Sequence, residues 1–195
     1  MGEERSDEEL VERFRAGDRA AFSALVHRHE RRVYNLAYRM LGREEDARDA
    51  TQDAFLSALR KLSSFRGEAR FTTWMHRVTV NTCYDLLRKR SREPLLERDR
   101  DDEGPEPAVP ASPDHADATA ATVDVQRALL LVPEEFRVVL VLHDIQDLGY
   151  EETAGVLDIP VGTVKSRVHR GRVALAGLLR ERIRPGGASK EPSTE

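Results

Sequence analysis

Apolar residues recur at spacings of three and four along the first half of the chain, the pattern of amphipathic helices, and no useful alternating stretch predicts a strand there. Ser6 and Glu9 have the spacing of a capping box and predict a helix start at residue 6. Gly17 and Gly42 interrupt the pattern. Further helices are predicted over residues 20–41, 46–62 and about 71–90.

The second half is predicted to contain four helices. The first covers residues 123–131, and Pro133, followed by two glutamates, opens the second because proline and acids suit a helix start. Residues 138–142 alone would also fit a strand, but those start signals favour a helix. The last two helices, 150–157 and 161–182, are separated by a break at residues 158–160. Two helices joined by a turn of this length, the second basic, match the helix-turn-helix pattern.

The segment 93–122 differs from both halves. It holds five prolines, nine acids and few large apolar side chains, too few to offset the entropy lost on ordering. We therefore expect an all-α protein with two small helical domains, 6–92 and 123–182. A flexible acidic linker, 93–122, would join them, and a disordered tail, 183–195, would follow.

Composition excludes several classes of protein. No apolar run of about 18 residues is present, so membrane insertion is not expected. The single cysteine, Cys83, excludes a disulfide framework and a cysteine-based zinc site. The N-terminal residues lack an apolar signal core, so we expect a cytosolic protein.

The charge distribution points to nucleic acid although the net charge is −4. Residues 60–92 carry nine Lys and Arg against two acids, and residues 160–184 carry seven against one. Binding is steered by local potential, so two basic blocks on either side of an acidic one indicate two anion-binding surfaces.

The last predicted helix has two distinct faces. At helical spacing, Val161, Val164, Val168, Gly171 and Leu175 share one face, and Ser166 and Arg170 lie opposite. Gly162, Thr163 and His169 stand beside them, with Lys165 and Arg167 on the flanks. Such a helix fits the major groove, where the outer residues would reach base edges and the flanking ones phosphates. The alternative is a solvated basic surface; the preceding helix and turn favour DNA.

A second candidate site lies between residues 65 and 77, where aromatic residues alternate with arginines. Unpaired bases stack on aromatic rings while arginines follow the backbone, so this mixture suggests single-stranded or melted nucleic acid. The alternative is that Phe65, Phe71 and Trp74 belong to the core, and for Trp74 that is the preferred interpretation.

The motifs of both halves resemble a known family. Residues 49–55 (DATQDAF), 65–67 (FRG), 71–74 (FTTW) and 77–81 (RVTVN) look like region 2 of bacterial extracytoplasmic-function (ECF) sigma factors. Residues 131–137 (LVPEEFR), 150–154 (YEETA) and 159–167 (IPVGTVKSR) resemble region 4 of the same family. The order of the motifs and the position of the linker agree as well.

The resemblance implies a dissociable subunit that gives RNA polymerase its promoter specificity, responds to stress and is held by an anti-sigma factor. Its partners would be the clamp and flap regions of core polymerase and promoter DNA, without a cofactor, metal or obligate homo-oligomer. Docking on the clamp is implied for Asp46, Asp49, Gln52 and Asp53. Melting and reading of the −10 element is implied for Arg70, Trp74, His76, Arg77 and Asn81. Reading of the −35 element is implied for Thr163, Lys165, Ser166, Arg167, His169 and Arg170. His76 and His169 stand where members often carry aromatics, so the promoter sequence cannot be copied from a relative.

Two other functions, a repressor and an enzyme, have less support in the sequence than a sigma factor. A stand-alone helix-turn-helix repressor usually dimerises, but the sequence shows no heptad seam, and a repressor leaves residues 65–81 unexplained. An enzyme would need a reactive constellation. His27 and His29 lie about 200° apart on a helix and cannot chelate one metal. His143 lacks a nucleophile, and Cys83 lies in an apolar stripe where burial is expected.

Overall fold

The computed structural model describes residues 5–67, 69–92 and 120–183, and within these ranges the regular structure is helical. The elements are α1 (Asp7–Arg15), α2 (Arg19–Leu41), α3 (Glu44–Lys61), a 3-10 turn (Leu62–Ser64), α4 (Phe71–Arg92), α5 (Ala120–Leu131), α6 (Glu134–Leu140), a π turn (Val141–Ile145), α7 (Tyr150–Leu157) and α8 (Val161–Ile183). The predicted all-α class is confirmed. None of the helices in these ranges is long and apolar enough to cross a membrane.

The predicted linker falls mostly outside the described residues. Its last three positions, 120–122, form the first turn of α5, which begins earlier than the helix predicted at residue 123. The predicted tail also lies outside the described residues, apart from Ile183 at the end of α8.

The first half is a bundle of α1 to α4 around an apolar core. The predicted capping box is present: Ser6 Oγ accepts from the Glu9 N–H at 3.2 Å, and Glu9 accepts from the Ser6 N–H at 3.1 Å. Asp7 of α1 contacts His29 of α2, with 2.8 Å between Asp7 Oδ2 and His29 Nε2, and this contact holds α1 against α2. Among the buried side chains of this core are Leu10, Leu25, Val33, Phe55, Leu62, Phe71 and Met75.

The second half is a bundle of α5 to α8. Pro133 caps α6, which continues through residues 138–142 as helix and not as strand. The π turn at its end is closed by the Gln146 N–H donating to the Val141 carbonyl at 2.9 Å. Asp158 ends α7 in the left-handed conformation (φ 56°), which Asp tolerates better than most residues. The predicted helix-turn-helix is therefore formed by α7, the turn at 158–160 and α8.

The two halves pack against each other. One buried cluster joins Leu36, Met40, Val80 and Cys83 of the first half to Leu129, Val132, Leu140 and Val164 of the second. Helix α2 contacts α5 and α6, and helix α4 contacts α7. The periodicity of the individual helices carries no signal for this contact, because it reports only which face of a helix is apolar.

Candidate nucleic-acid interface

The outward face of α8 is set by close packing of its inner face. Val164 and Val168 are buried as predicted, and Gly171 lies against α6. A Cβ at Gly171 would meet the Leu140 side chain at 3.0 Å, so only a small residue lets the two helices approach this closely. This contact fixes the rotation of α8.

The residues predicted to read DNA lie on the outer side of α8. Lys165, Ser166, His169 and Arg170 are exposed, whereas Thr163 and Arg167 are half-buried. Ser166 Oγ donates to the Thr163 carbonyl at 2.9 Å, so its proton is already committed within the helix. Arg167 forms an ion pair with Glu135 of α6 at 3.0 Å, which ties that flank to the protein. Arg170 and His169 are exposed on this face and carry nitrogen donors suited to the edge of a base.

A layered contact braces the helix-turn-helix. The His143 ring stacks on Tyr150 with 4.3 Å between centroids, and Lys165 Nζ lies over the Tyr150 ring, 5.5 Å from its centroid. His143 Nδ1 is 2.7 Å from the Leu148 carbonyl. Arg172 of α8 forms a two-point ion pair with Asp144 of the π turn. The π turn therefore holds both helices of the motif.

A second surface runs along α4 and the residue before it. Arg70, Trp74, Arg77 and Asn81 follow one another at spacings of four, three and four, which places them on one helix face. Arg70, Arg77 and Asn81 are exposed. Trp74 is half-buried, packed 5.2 Å from Phe65 and 5.7 Å from Phe71 between ring centroids. Phe65 and Phe71 are core residues, while Trp74 keeps part of its surface open at the same face as the arginines.

His76 lies apart from that face. Only 3% of its surface is exposed, and neither ring nitrogen has a hydrogen-bond partner. Burial lowers the pKa of His76 to about 4; Arg32 and His29 on α2 act in the same direction, and the neighbouring Gln146 amide opposes them. In this arrangement the neutral ring lies between α2 and the second half of the chain and cannot reach a base.

A third surface, on α3, contains the residues predicted to dock on polymerase. Asp49, Gln52 and Asp53 are exposed, whereas Asp46 forms an ion pair with Arg90 of α4 at 2.6 Å. The structure adds two apolar residues on the same side of α3: Leu56 and Leu59 are 43% and 40% exposed. Leu56 stands three residues after Asp53, and Leu59 stands three residues after Leu56; this helical spacing was the signal in the sequence that the prediction did not use.

Two features of the described residues bear on the rival enzyme function. Cys83 is buried, and burial raises its pKa to about 12, so its thiolate does not form near neutral pH. No group of three His, Cys, Asp or Glu side chains in the described ranges could hold a metal ion.

Comparison with known proteins decides the family. The family model of Sigma-70 region 2 matches residues 25–93, and that of Sigma-70 region 4 matches residues 122–175. The chain is 42% identical over 176 residues to the ECF RNA polymerase sigma factor SigM of Mycobacterium tuberculosis, covering 90% of this chain and 86% of the relative. The chain belongs to the ECF sigma factors of the sigma-70 family. The resemblance stated from the motifs is thereby confirmed.

Two solved sigma-factor structures are similar to this one. CnrH in complex with the cytosolic domain of CnrY superimposes with a TM-score of 0.67 at 26% identity, covering 91% of this chain and 99% of that chain. The sigma factor RpoE of Bartonella quintana, solved with the anti-sigma factor NepR, gives a TM-score of 0.66 at 24% identity, covering 82% and 96%. In this sigma factor, region 2 accordingly includes the α3 and α4 surfaces, and region 4 includes the helix-turn-helix.

Proposed function

We propose that this sigma factor docks on core polymerase through α3, opens and reads the −10 element with α4, and reads the −35 element with α8. One observation supports this division most strongly: two separate exposed faces, one on α4 and one on α8, each combine basic side chains with groups that can contact bases. A repressor needs only the second of these faces.

At the −35 element, α8 would lie in the major groove. Arg170 has the fork geometry that recognises a guanine edge, and His169 stands beside it on the exposed face. Lys165 would contact a phosphate, and Thr163 with the free amides at the start of α8 would hold another. Arg167, already paired with Glu135, would contribute a phosphate contact only by sharing that ion pair.

At the −10 element, the α4 face would bind an unpaired strand. The open part of Trp74 offers a stacking surface, and Arg70 and Arg77 would follow the backbone on either side of it. The exposed Asn81 amide can both donate to and accept from the edge of a base. Extruding a base costs a few kcal/mol, so these contacts must return a comparable free energy.

Docking on the polymerase clamp would use the exposed side of α3. Leu56 and Leu59 would form its apolar centre, and Asp49, Gln52 and Asp53 its polar rim. Interfaces commonly have this arrangement, in which an apolar centre supplies affinity and a charged rim supplies orientation. Asp46 would act by holding Arg90 and α4 in place. The flap of the polymerase would contact region 4.

Regulation by an anti-sigma factor in response to stress is part of the same proposal. CnrH was solved with the cytosolic domain of CnrY, and RpoE with the anti-sigma factor NepR. With polymerase and DNA as its partners, the protein would work in the cytoplasm.

Transcription by purified core polymerase on a promoter library, with and without this chain, tests the proposal. We expect transcripts from a subset of templates that share a −10 and a −35 sequence, and only when the chain is added. Core polymerase that gives the same transcripts without the chain would contradict the proposal. A footprint of two half-sites on duplex DNA without polymerase would instead support the repressor.

A further inference from the structure

Four Lys and Arg side chains of α8 lie between residues 165 and 172, and their contacts differ. Lys165 and Arg172 are seven positions apart, which places them on one flank of the helix, and Arg167 lies on the other flank. Arg170 belongs to the outer face. Arg167 and Arg172 are paired with acids, and both acids come from the segment formed by α6 and the π turn. The flanks of α8 therefore carry less unpaired positive charge than the sequence suggests.

Glu135 of α6 holds the cation of one flank. Its Oε2 lies 3.0 Å from Arg167 Nη2. The Glu135 side chain is 54% exposed, so this ion pair lies at the surface of region 4, in contact with solvent. An exposed ion pair contributes little to the stability of a fold. A phosphate that approached this flank would have to displace the carboxylate or share the guanidinium with it.

Asp144 of the π turn holds Arg172 on the other flank. Arg172 Nε donates to Asp144 Oδ2 at 3.1 Å, and Arg172 Nη2 donates to the second carboxylate oxygen. Such a two-point contact uses the fork of donors with which an arginine would otherwise bind a phosphate. Arg172 is exposed as well, so its pairing with Asp144 is not forced by burial.

Lys165 and Arg170 are held differently. Lys165 Nζ lies over the Tyr150 ring, 5.5 Å from its centroid. The ring attracts a cation but has no net charge, so the ammonium keeps its positive charge. Within residues 5–67, 69–92 and 120–183, neither Lys165 nor Arg170 forms an ion pair with an acid. These two side chains therefore keep their charge available to DNA.

Charge on the flanks of a recognition helix sets affinity without regard to sequence. Neutralising a phosphate with Lys or Arg releases counterions, and this term supplies essentially all of the non-specific binding to DNA. Contacts with base edges, in contrast, distinguish one sequence from another. An acid that pairs with a flanking cation is therefore expected to weaken binding to every duplex by a similar factor and to leave base reading unchanged.

We propose that Glu135 and Asp144 limit the affinity of region 4 for DNA. By pairing with Arg167 and Arg172, they keep two cations of α8 from the phosphate backbone, so that the free chain binds duplex DNA of any sequence weakly. The inference rests on the proposed function of α8 as the reader of the −35 element. It gives the acids of α6 and the π turn control over how strongly that helix binds, and leaves Arg170 in control of which bases it reads.

Binding of the full chain to two duplexes tests the inference. One duplex carries the −35 sequence selected from the promoter library with the parent chain, and the other has the same composition in scrambled order. We expect Glu135→Gln to bind both at least threefold more tightly at 50 mM salt and to steepen the salt slope by about one unit, as one added phosphate contact does. Glu134→Gln is the matched control, because Glu134 is the exposed neighbour and forms no ion pair within the described residues. Its affinity should stay near that of the parent.

The gain must pass through the paired arginine. In the background of Arg167→Ala, we expect Glu135→Gln to add nothing, because no guanidinium is released. Asp144→Asn provides an independent second variant, with Arg172→Ala as its background and the same expected changes. Thermal unfolding checks that each variant is folded, and the Tm should remain within a few degrees of the parent value, because the ion pairs are exposed.

The outcomes separate the two proposals. If the parent chain directs no promoter-specific transcription, the proposed function fails. If the parent is active but either acid variant binds no more tightly, or its gain persists without its arginine, or Glu134→Gln gives the same gain, the inference alone is overturned. An acid variant that no longer folds would show that its ion pair is structural and would overturn the inference for that residue.

Discussion

Arg170 and Lys165 are both exposed on α8, but replacing each with alanine should affect DNA binding in a different way. Arg170→Ala should weaken −35 binding by about 1–3 kcal/mol at one base position, because an arginine contact to a base edge discriminates among bases. Lys165→Ala should weaken binding to all sequences evenly and reduce the salt slope by about one unit. Titration of single-base variants of a −35 duplex at several salt concentrations measures both. Equal, sequence-independent losses would contradict the reading role of Arg170.

His76 should make the stability of the folded protein depend on pH. Its pKa is about 4 when buried and about 6.5 when exposed, so the unfolded chain binds more protons between these values. The stabilisation is present above pH 6.5 and is lost as the pH falls towards 4. His29, packed nearby, has its pKa lowered mainly by burial, partly opposed by Asp7, and acts in the same sense.

Urea unfolding at pH 7.5 and pH 5 measures this effect. Between pH 7.5 and pH 5, the free energy of unfolding of the parent should fall by about 2 kcal/mol more than that of His76→Leu. The reason is that pH 5 lies about 1.5 units below the ordinary pKa of histidine, and each unit corresponds to about 1.4 kcal/mol. An equal pH dependence in the two proteins would mean that His76 is not the buried neutral group described above.

Sequence patterns predicted single residues well where one helix decides their environment. Ser6 at the cap of α1 and Val164 and Val168 on the inner face of α8 follow from local spacing. The burial of His76 does not, because it depends on α2 and on Gln146, which is 70 positions away in the chain. Its role in −10 reading stays a prediction.

On the exposed side of α3, a substitution can change binding to core polymerase without changing the stability of the fold. Leu56→Ala should lower affinity for core polymerase about tenfold, because a buried apolar anchor at an interface contributes about 1–2 kcal/mol. Stability should change by less than about 0.5 kcal/mol, since Leu56 is exposed in the free chain. Leu131→Ala, an exposed leucine on α5, is the control. Binding to immobilised core and thermal unfolding measure the two effects; unchanged core affinity for Leu56→Ala would place docking elsewhere.

Two glycines within α8, Gly171 and Gly177, allow the packing of this helix to be tested by substitution. Gly171→Leu should lower the free energy of unfolding by about 1–3 kcal/mol, because any side chain at that position meets Leu140. Gly177→Leu, in the same helix, should be neutral or stabilising, because a Cβ there meets nothing within 4 Å and leucine favours helix over glycine. Thermal unfolding of both variants is the measurement. Equal effects would mean that α8 is not rotated as described.

Helices as elements were largely predictable, since apolar spacing and caps are local properties. The break at 158–160 and the span of α7 agree with the predicted helix-turn-helix. The π turn at Val141–Ile145 was not predicted, because nothing in the residue types distinguishes it from ordinary helix.

At the scale of the whole molecule, the sequence indicated two helical halves and a family. It did not indicate the contact between the two halves, which joins residues about 90 positions apart, such as Tyr38 and Gln126. Contacts of this kind leave no periodic signal in either helix. The proposed division between −10 and −35 reading rests on the exposed faces of α4 and α8.

Two promoter libraries, randomised at the −10 or at the −35 element, test that claim in one experiment with core polymerase. Asn81→Ala should relax selection at −10, leave selection at −35 intact and recover activity on templates with a pre-melted −10 region. Arg170→Ala should relax selection at −35 alone. Loss of selection at both elements with either variant, or loss of core binding in place of selectivity, would contradict the assignment of the two elements to α4 and α8.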